Sequence, residues 1–172
     1  GLANLSGFNL LSDNFTYVGN AGRDDMNLNI TRSSFLGVFN VSTGAGDDII
    51  LSARLIDGDS VDLGAGDDTI YVLANNVNSL SITKLDGGTG VDTLVFEESS
   101  NNGTLSLTTG GATGFENLRG SGLAETLTGD AQANVIKGIG GADTIYGLGG
   151  NDTLYAGDSS SSTLSASSDN TA

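Results

Sequence analysis

A nine-residue period governs the C-terminal third of this chain. Gly138-Ile139-Gly140-Gly141-Ala142-Asp143-Thr144-Ile145-Tyr146 is followed without a gap by Gly147-Leu148-Gly149-Gly150-Asn151-Asp152-Thr153-Leu154-Tyr155. Stepping back in nines from Leu154, the apolar place is held by Ile145, Ile136, Leu127 and Leu118. The glycine that opens each turn recurs as Gly147, Gly138, Gly129, Gly120 and Gly111. A unit this short has room for one strand and one turn. It cannot bury a core alone, so the units must stack on one another.

The same turn recurs upstream at wider spacing, from Gly19 to Asp24, Gly44 to Asp48, Gly64 to Asp68 and Gly87 to Asp92. The closing acids lie 24, 20 and 24 residues apart, with 24 more to Glu116. If one coil carries two turns, Asp24, Asp48, Asp68, Asp92, Glu116, Asn134 and Asp152 form one stacked column over about seven coils. Asp59, Glu125 and Asp143 would form the opposite column. At about 4.8 Å per coil the rod would be roughly 34 Å long.

Between turns the chain alternates or runs apolar, as in Met26 to Ile30, Ile49 to Leu51, Thr69 to Leu73, Leu80 to Ile82, Thr93 to Phe96 and Leu105 to Leu107. Period two with β-branched enrichment predicts short strands. Glycine, 27 of 172 residues, interrupts every window long enough for a helix, and proline, which would break a strand ladder, is absent. Each strand can pair only with its equivalent one coil away, so the sheets are parallel. The expected architecture is all-β, a right-handed parallel solenoid of the β-roll or β-helix kind. Inward ladders of Ile50, Ile70, Leu94, Leu118, Leu127, Ile136, Ile145 and Leu154 fill its interior, and Tyr71, Tyr146 and Tyr155 face outward.

Charge narrows the chemistry. Twenty-one acids against six bases give −15, which disfavours nucleic acid and anionic membrane and favours hard cations. With no His and no Cys there is no Ser-His-Asp triad, no thiol nucleophile, no thiolate metal site and no disulfide. No stretch is apolar for long enough to span a membrane as a helix. No Gly-x-Ser-x-Gly or His-Glu-x-x-His is present, and the chain is not expected to be an enzyme.

In the turns, glycine permits positive φ and close backbone approach, so several carbonyl oxygens can converge where the aspartate adds charge. Calcium takes about 6 to 8 oxygen ligands, carboxylate and carbonyl mixed, at roughly 2.3 to 2.6 Å. One turn cannot supply that shell, whereas two turns on adjacent coils can. The candidate carboxylates are Asp24, Asp48, Asp59, Asp68, Asp92, Asp143 and Asp152. The candidate carbonyls belong to Gly19, Ala21, Gly44, Gly46, Gly64, Gly66, Gly87, Thr89, Gly138, Gly140, Gly147 and Gly149. Of the neighbouring acids Asp25, Asp47 and Asp67, only one in each adjacent pair can point into a turn; the other is a solvated rim. Counting gaps between acid-bearing turns gives about five Ca2+ ions.

These units resemble the glycine- and aspartate-rich nonapeptides of RTX proteins, the hemolysin-type calcium-binding repeats. The resemblance is close from Gly111 to Tyr155 and piecemeal from Gly19 to Asp92. It implies a parallel β-roll with calcium between stacked turns, in a protein exported by Gram-negative bacteria through type I secretion. The chain departs from the pattern at Glu116, Glu125 and Asn134, where Asp is usual, and at Leu123 and Gln132, where Gly is usual. Those turns are expected to bind calcium poorly or not at all. Longer coils occupy 1–110 and compact nonapeptides 111–157 of one domain, and 158–172 reads as a Ser-rich flexible tail or linker. Residues 32–37, 75–78 and 99–103 are expected as projecting loops. The reading is a calcium-folded module of a larger secreted or cell-surface protein. The alternative is an adhesin, S-layer or polysaccharide-binding module in which calcium is only structural.

Overall fold

Alternation of inward apolar and outward polar side chains sets the strands, and the glycine turns set where each one ends. The structure, a computed structural model, describes residues 2–4, 14–28, 37–73, 84–97, 103–107, 112–157 and 162–166. Among these, the strands β1 to β17 follow in chain order and form three parallel sheets.

The long sheet stacks eight strands, β1 (Leu2–Asn4), β3 (Asp25–Asn27), β5 (Ile49–Ala53), β7 (Thr69–Leu73), β9 (Thr93–Glu97), β12 (Asn117–Arg119), β14 (Val135–Lys137) and β16 (Thr153–Tyr155). A second sheet holds β2 (Phe15–Val18), β4 (Phe39–Ser42), β6 (Ser60–Asp62), β8 (Lys84–Asp86) and β11 (Ala112–Thr113). A third holds β10 (Thr104–Ser106), β13 (Thr126–Thr128), β15 (Thr144–Leu148) and β17 (Thr163–Ala166). The chain is an all-β parallel solenoid, consistent with a right-handed roll. It is not built of seven uniform coils, however. About five turns close against the second sheet, and the later ones close against the third.

The hand-over falls between β9 and β12. There the chain leaves β9, starts the third sheet with β10, finishes the second with β11, and returns to the long sheet at β12. The long sheet runs through this change without losing register: Ile70 pairs with Leu94, Leu94 with Leu118, and Leu118 with Ile136.

Those residues form the inward ladder. Met26, Ile50, Ile70, Leu94, Leu118 and Ile136 are buried from the long sheet. Val41, Val61 and Leu85 face them from the second sheet, and Leu105, Leu127 and Ile145 from the third. Leu154, on the last rung of the long sheet, is only partly buried. The Ser-rich stretch expected as a flexible tail contributes β17, which pairs Thr163 with Thr144 and Leu164 with Ile145. That pairing uses backbone N–H and C=O groups and needs no apolar side chains. The expected strand at Leu80 to Ile82, and the expected loops apart from Gly37 and Gly103, lie outside the described residues.

Turns stack as closely as strands. Ala45 bridges Ala65 and Ala65 bridges Thr89, with Ala65 N–H donating to Gly44 O at 2.9 Å and Thr89 N–H to Gly64 O at 2.8 Å. Gly64 has φ +99, and a Cβ there would overlap the Gly44 carbonyl. Gly22 lies in the same turn family with no positive φ and only the Asn20 side chain, at 3.4 Å, in the path of a Cβ. Gly64→Ala should therefore cost about 2 kcal/mol or more, and Gly22→Ala less than about 1 kcal/mol. Thermal unfolding followed by circular dichroism checks this, and equal losses would contradict the stacking.

Candidate metal centre

Six-residue turns precede the strands of the long sheet, and their last residues line up as one column. Asp48 Oδ1 accepts the backbone N–H of Asp24 at 2.6 Å, Asp68 Oδ1 that of Asp48 at 2.7 Å, and Asp92 Oδ1 that of Asp68 at 2.8 Å. Glu116 Oε2 accepts Asp92 N–H at 2.8 Å, and Asp152 Oδ1 accepts Asn134 N–H at 2.9 Å. Each side chain thus reaches back one coil, which is the column predicted from the spacing.

The second carboxylate oxygens carry the information about a ligand. Asp48, Asp68 and Asp92 are fully buried, and their Oδ2 atoms have no hydrogen-bond partner. Asp143 Oδ2, in a turn before the third sheet, is in the same state. Buried polar atoms are nearly always paired, and a buried carboxylate oxygen without a donor costs several kcal/mol unless a cation faces it. A Cβ at Gly87 would lie 3.0 Å from Asp92 Oδ2, and one at Gly138 would overlap Asp143 Oδ2. The glycine keeps open the space that its own turn's carboxylate faces.

Acids outside this state are occupied. Asp24 Oδ2 takes Asn20 N–H at 3.4 Å, and the Asp24 side chain also hydrogen-bonds Tyr17. Burial first, and then that carboxylate, raises the Tyr17 phenol above its usual range. Tyr17 was not legible as part of the site, because it comes from β2 on another sheet. Glu125 binds the hydroxyl and N–H of Ser121, its own turn's second residue. Asp47 and Asp67 are exposed and point the other way along the rod, accepting the N–H groups of Asp67 and Val91. They form the solvated rim, and their inner neighbours Asp48 and Asp68 form the column.

The expected opposite column divides. Asp143 Oδ1 accepts Glu125 N–H at 3.0 Å, and Ser162 Oγ accepts Asp143 N–H at 3.1 Å, so Ser162 continues that line in place of an acid. Asp59 stands apart before the second sheet, its two oxygens taken by the N–H groups of Phe39 and Ile56 at 2.8 and 2.7 Å. Asp59, Glu125 and Asp143 therefore do not form one column, because the chain changes sheets between Asp59 and Glu125.

The candidate carbonyl residues occupy different turn positions. Stacking aligns Asn20, Gly44, Gly64 and Gly88; then Ala45, Ala65 and Thr89; then Gly22, Gly46, Gly66 and Gly90. Gly19 and Gly87 stand one place earlier than Gly44 and Gly64, level with Thr43 and Leu63, and Ala21 falls in line with Ala45. In the nonapeptides Gly138 and Gly147 take the Gly87 place beside their own Asp143 and Asp152, while Gly140 and Gly149 follow two residues later and pack on Gly122 and Ala131 of the preceding coil. The place held by Gly44 and Gly64 is filled here by Ile139 at φ 83 and Leu148 at φ 68.

Among the described residues no three acidic side chains converge. A cation here must draw on one or two carboxylates and on backbone carbonyls, an all-oxygen set that suits a hard divalent ion. The residues present fit calcium. A family model of the RTX calcium-binding nonapeptide repeat matches the chain in four copies, over 56–76, 119–154 and 138–160. The matched segments carry RTX calcium-binding nonapeptide repeats. No curated protein matches the chain. Asp68, Asp143 and Asp152 lie inside the matched RTX segments. Asp24, Asp48 and Asp92 lie outside them but share the hydrogen-bonded column of Asp68.

Burial pushes Asp68 up to about 6, offset by the Asp48 N–H and reinforced by the charges of Asp92, Asp48 and Asp47. Asp92 rises to about 6 in the same way, burial leading. An acid whose folded-state value lies above its unfolded value makes the fold bind extra protons, so stability falls as pH rises from about 4 through about 6. Chelated protein should therefore hold more folded structure, and melt higher, near pH 4.5 than at pH 7, where it is largely unfolded. Calcium competes with those protons, so its affinity should rise over the same interval. Melting curves in chelator and calcium titrations at both pH values check this; a calcium-free protein most stable at pH 7 would contradict the buried column.

Proposed function

We propose that the chain is a calcium-folded module of a secreted or cell-surface bacterial protein, with ions held between stacked turns. The observation that carries this is the set of buried, unpartnered Oδ2 atoms at Asp48, Asp68, Asp92 and Asp143. RTX repeats bind calcium, and these atoms mark which turns of this chain would do so. The gaps along Asp24 to Asp92 and the turns ending at Asp143 and Asp152 would hold about five ions. Glu125 is held by Ser121 and Asn134 Oδ1 by Asp130 N–H within their own turns, while Glu116 reaches back to Asp92 N–H.

The role is structural rather than catalytic. With calcium scarce, a chain of charge −15 repels itself and its buried carboxylates have no counter-charge. Outside the cell, calcium neutralises the column and the coils stack, so metal binding and folding are one event. Export in an unfolded state, as in type I secretion from a Gram-negative cell, fits that order. No helix of the described residues is long and apolar enough to cross a membrane.

Chelated protein should be expanded and largely unfolded, and calcium at about 10⁻⁴ to 10⁻³ M should restore a compact β state. Circular dichroism with small-angle scattering reads both. Asp68→Asn should raise the calcium midpoint by about threefold or more and Asp67→Asn by less than about twofold, since ligand charge tunes affinity. A compact β structure in chelator, or equal shifts from the two variants, would overturn the proposal.

A further inference from the structure

The outer face of the long sheet carries a feature that calcium binding does not use. Tyr71 pairs in register with Val95, Val95 with Arg119, Arg119 with Lys137, and Lys137 with Tyr155. These five rungs form one row and span about 19 Å at about 4.8 Å per rung; Val95 is buried, Tyr71 half-buried, and Arg119, Lys137 and Tyr155 are exposed. Arg119 and Lys137 are exposed and adjacent. They are two of only six basic residues in a chain with 21 acids, yet neither is paired with a carboxylate among the described residues. Lys137 Nζ instead sits 5.6 Å from the centre of the Tyr155 ring.

Like charges on directly opposed strand positions destabilise a sheet. Placing the two cations side by side, away from an abundance of acids, works against folding. Such violations of local preference are expected where a site serves a ligand. Three clefts adjoin the row. One is lined by Tyr71, Val95, Arg119 and Ile139, with Glu97 also on its wall; the next by Arg119, Lys137 and Asn117; the third by Lys137, Ile139 and Tyr155. Ile139, exposed and at positive φ, lines both the first and the third.

We propose that this row binds a single extended chain of an acidic, carboxylate-bearing polysaccharide, laid along the solenoid axis. The two cations meet carboxylates on neighbouring sugars, and the tyrosines at either end offer flat faces to sugar rings. The number of cations separates this ligand from nucleic acid. Nucleic acid would need many more phosphate contacts to overcome a protein of −15. An extended peptide gains its affinity by adding to a sheet edge, and a sheet face has no free N–H row.

The test is calorimetric titration of the whole chain, in saturating calcium, with a short polyuronate oligomer, an uncharged glucan oligomer of equal length and poly-aspartate. The uronate should bind and the other two should bind at least about tenfold more weakly. Arg119→Gln with Lys137→Gln should lower uronate affinity by at least about tenfold, and Tyr155→Ala severalfold, while the circular dichroism spectrum and calcium midpoint stay unchanged. No uronate binding by folded protein, equal binding of glucan or poly-aspartate, or binding that survives the double substitution through calcium bridges to turn carboxylates would each overturn the proposal. The row requires only the folded sheet, which circular dichroism reports separately, so a protein that folded without calcium would still give a clear answer on the glycan.

Discussion

The hydrogen bond from a turn carboxylate to the backbone N–H one coil back is the contact on which the rest of this fold depends. It recurs at Asp48, Asp68 and Asp92 with donor–acceptor distances of 2.6 to 2.8 Å. It fixes the register of each coil on the last, and with it the inward ladder of Ile50, Ile70 and Leu94. Only one oxygen of each carboxylate is used. The other is left buried, so the contact that aligns the coils also creates a demand for a cation.

That demand makes the fold conditional. A column of buried carboxylates opposes stacking by desolvation and mutual repulsion, and Asp68 and Asp92 respond by holding protons up to about 6. A divalent ion between turns removes both costs at once. The chain grades this demand along its length. Asp24 is satisfied by Asn20 and Tyr17, Glu125 by Ser121, and Asp143 continues into Ser162. On the proposed reading the need for calcium is greatest where Oδ2 has no partner, at Asp48, Asp68, Asp92 and Asp143.

The column of the long sheet was legible in the sequence, because equal spacing of an acid before an apolar alternation leaves a stacked chain little choice of register. The ladder through Leu118, Ile136 and Leu154 followed from the nine-residue step. What spacing could not carry was the exchange of sheets between β9 and β12, which separates Asp59 from Glu125 and Asp143 although all three close similar turns. Glycine positions were also misaligned by one, since Thr43 and Leu63 occupy the place that Gly19 and Gly87 hold. β17 escaped notice because backbone pairing leaves no apolar signature in Thr163–Ala166. Ile139 and Leu148, at positive φ where glycine is expected, can be placed there only by the fold.

The most direct measurement is an anomalous difference map from crystals grown in calcium. The account predicts peaks about 2.3 to 2.6 Å from Oδ2 of Asp48, Asp68, Asp92 and Asp143, each lying between the turns of neighbouring coils. Peaks confined to the exposed rim of Asp47 and Asp67, with the buried oxygens unligated, would contradict it.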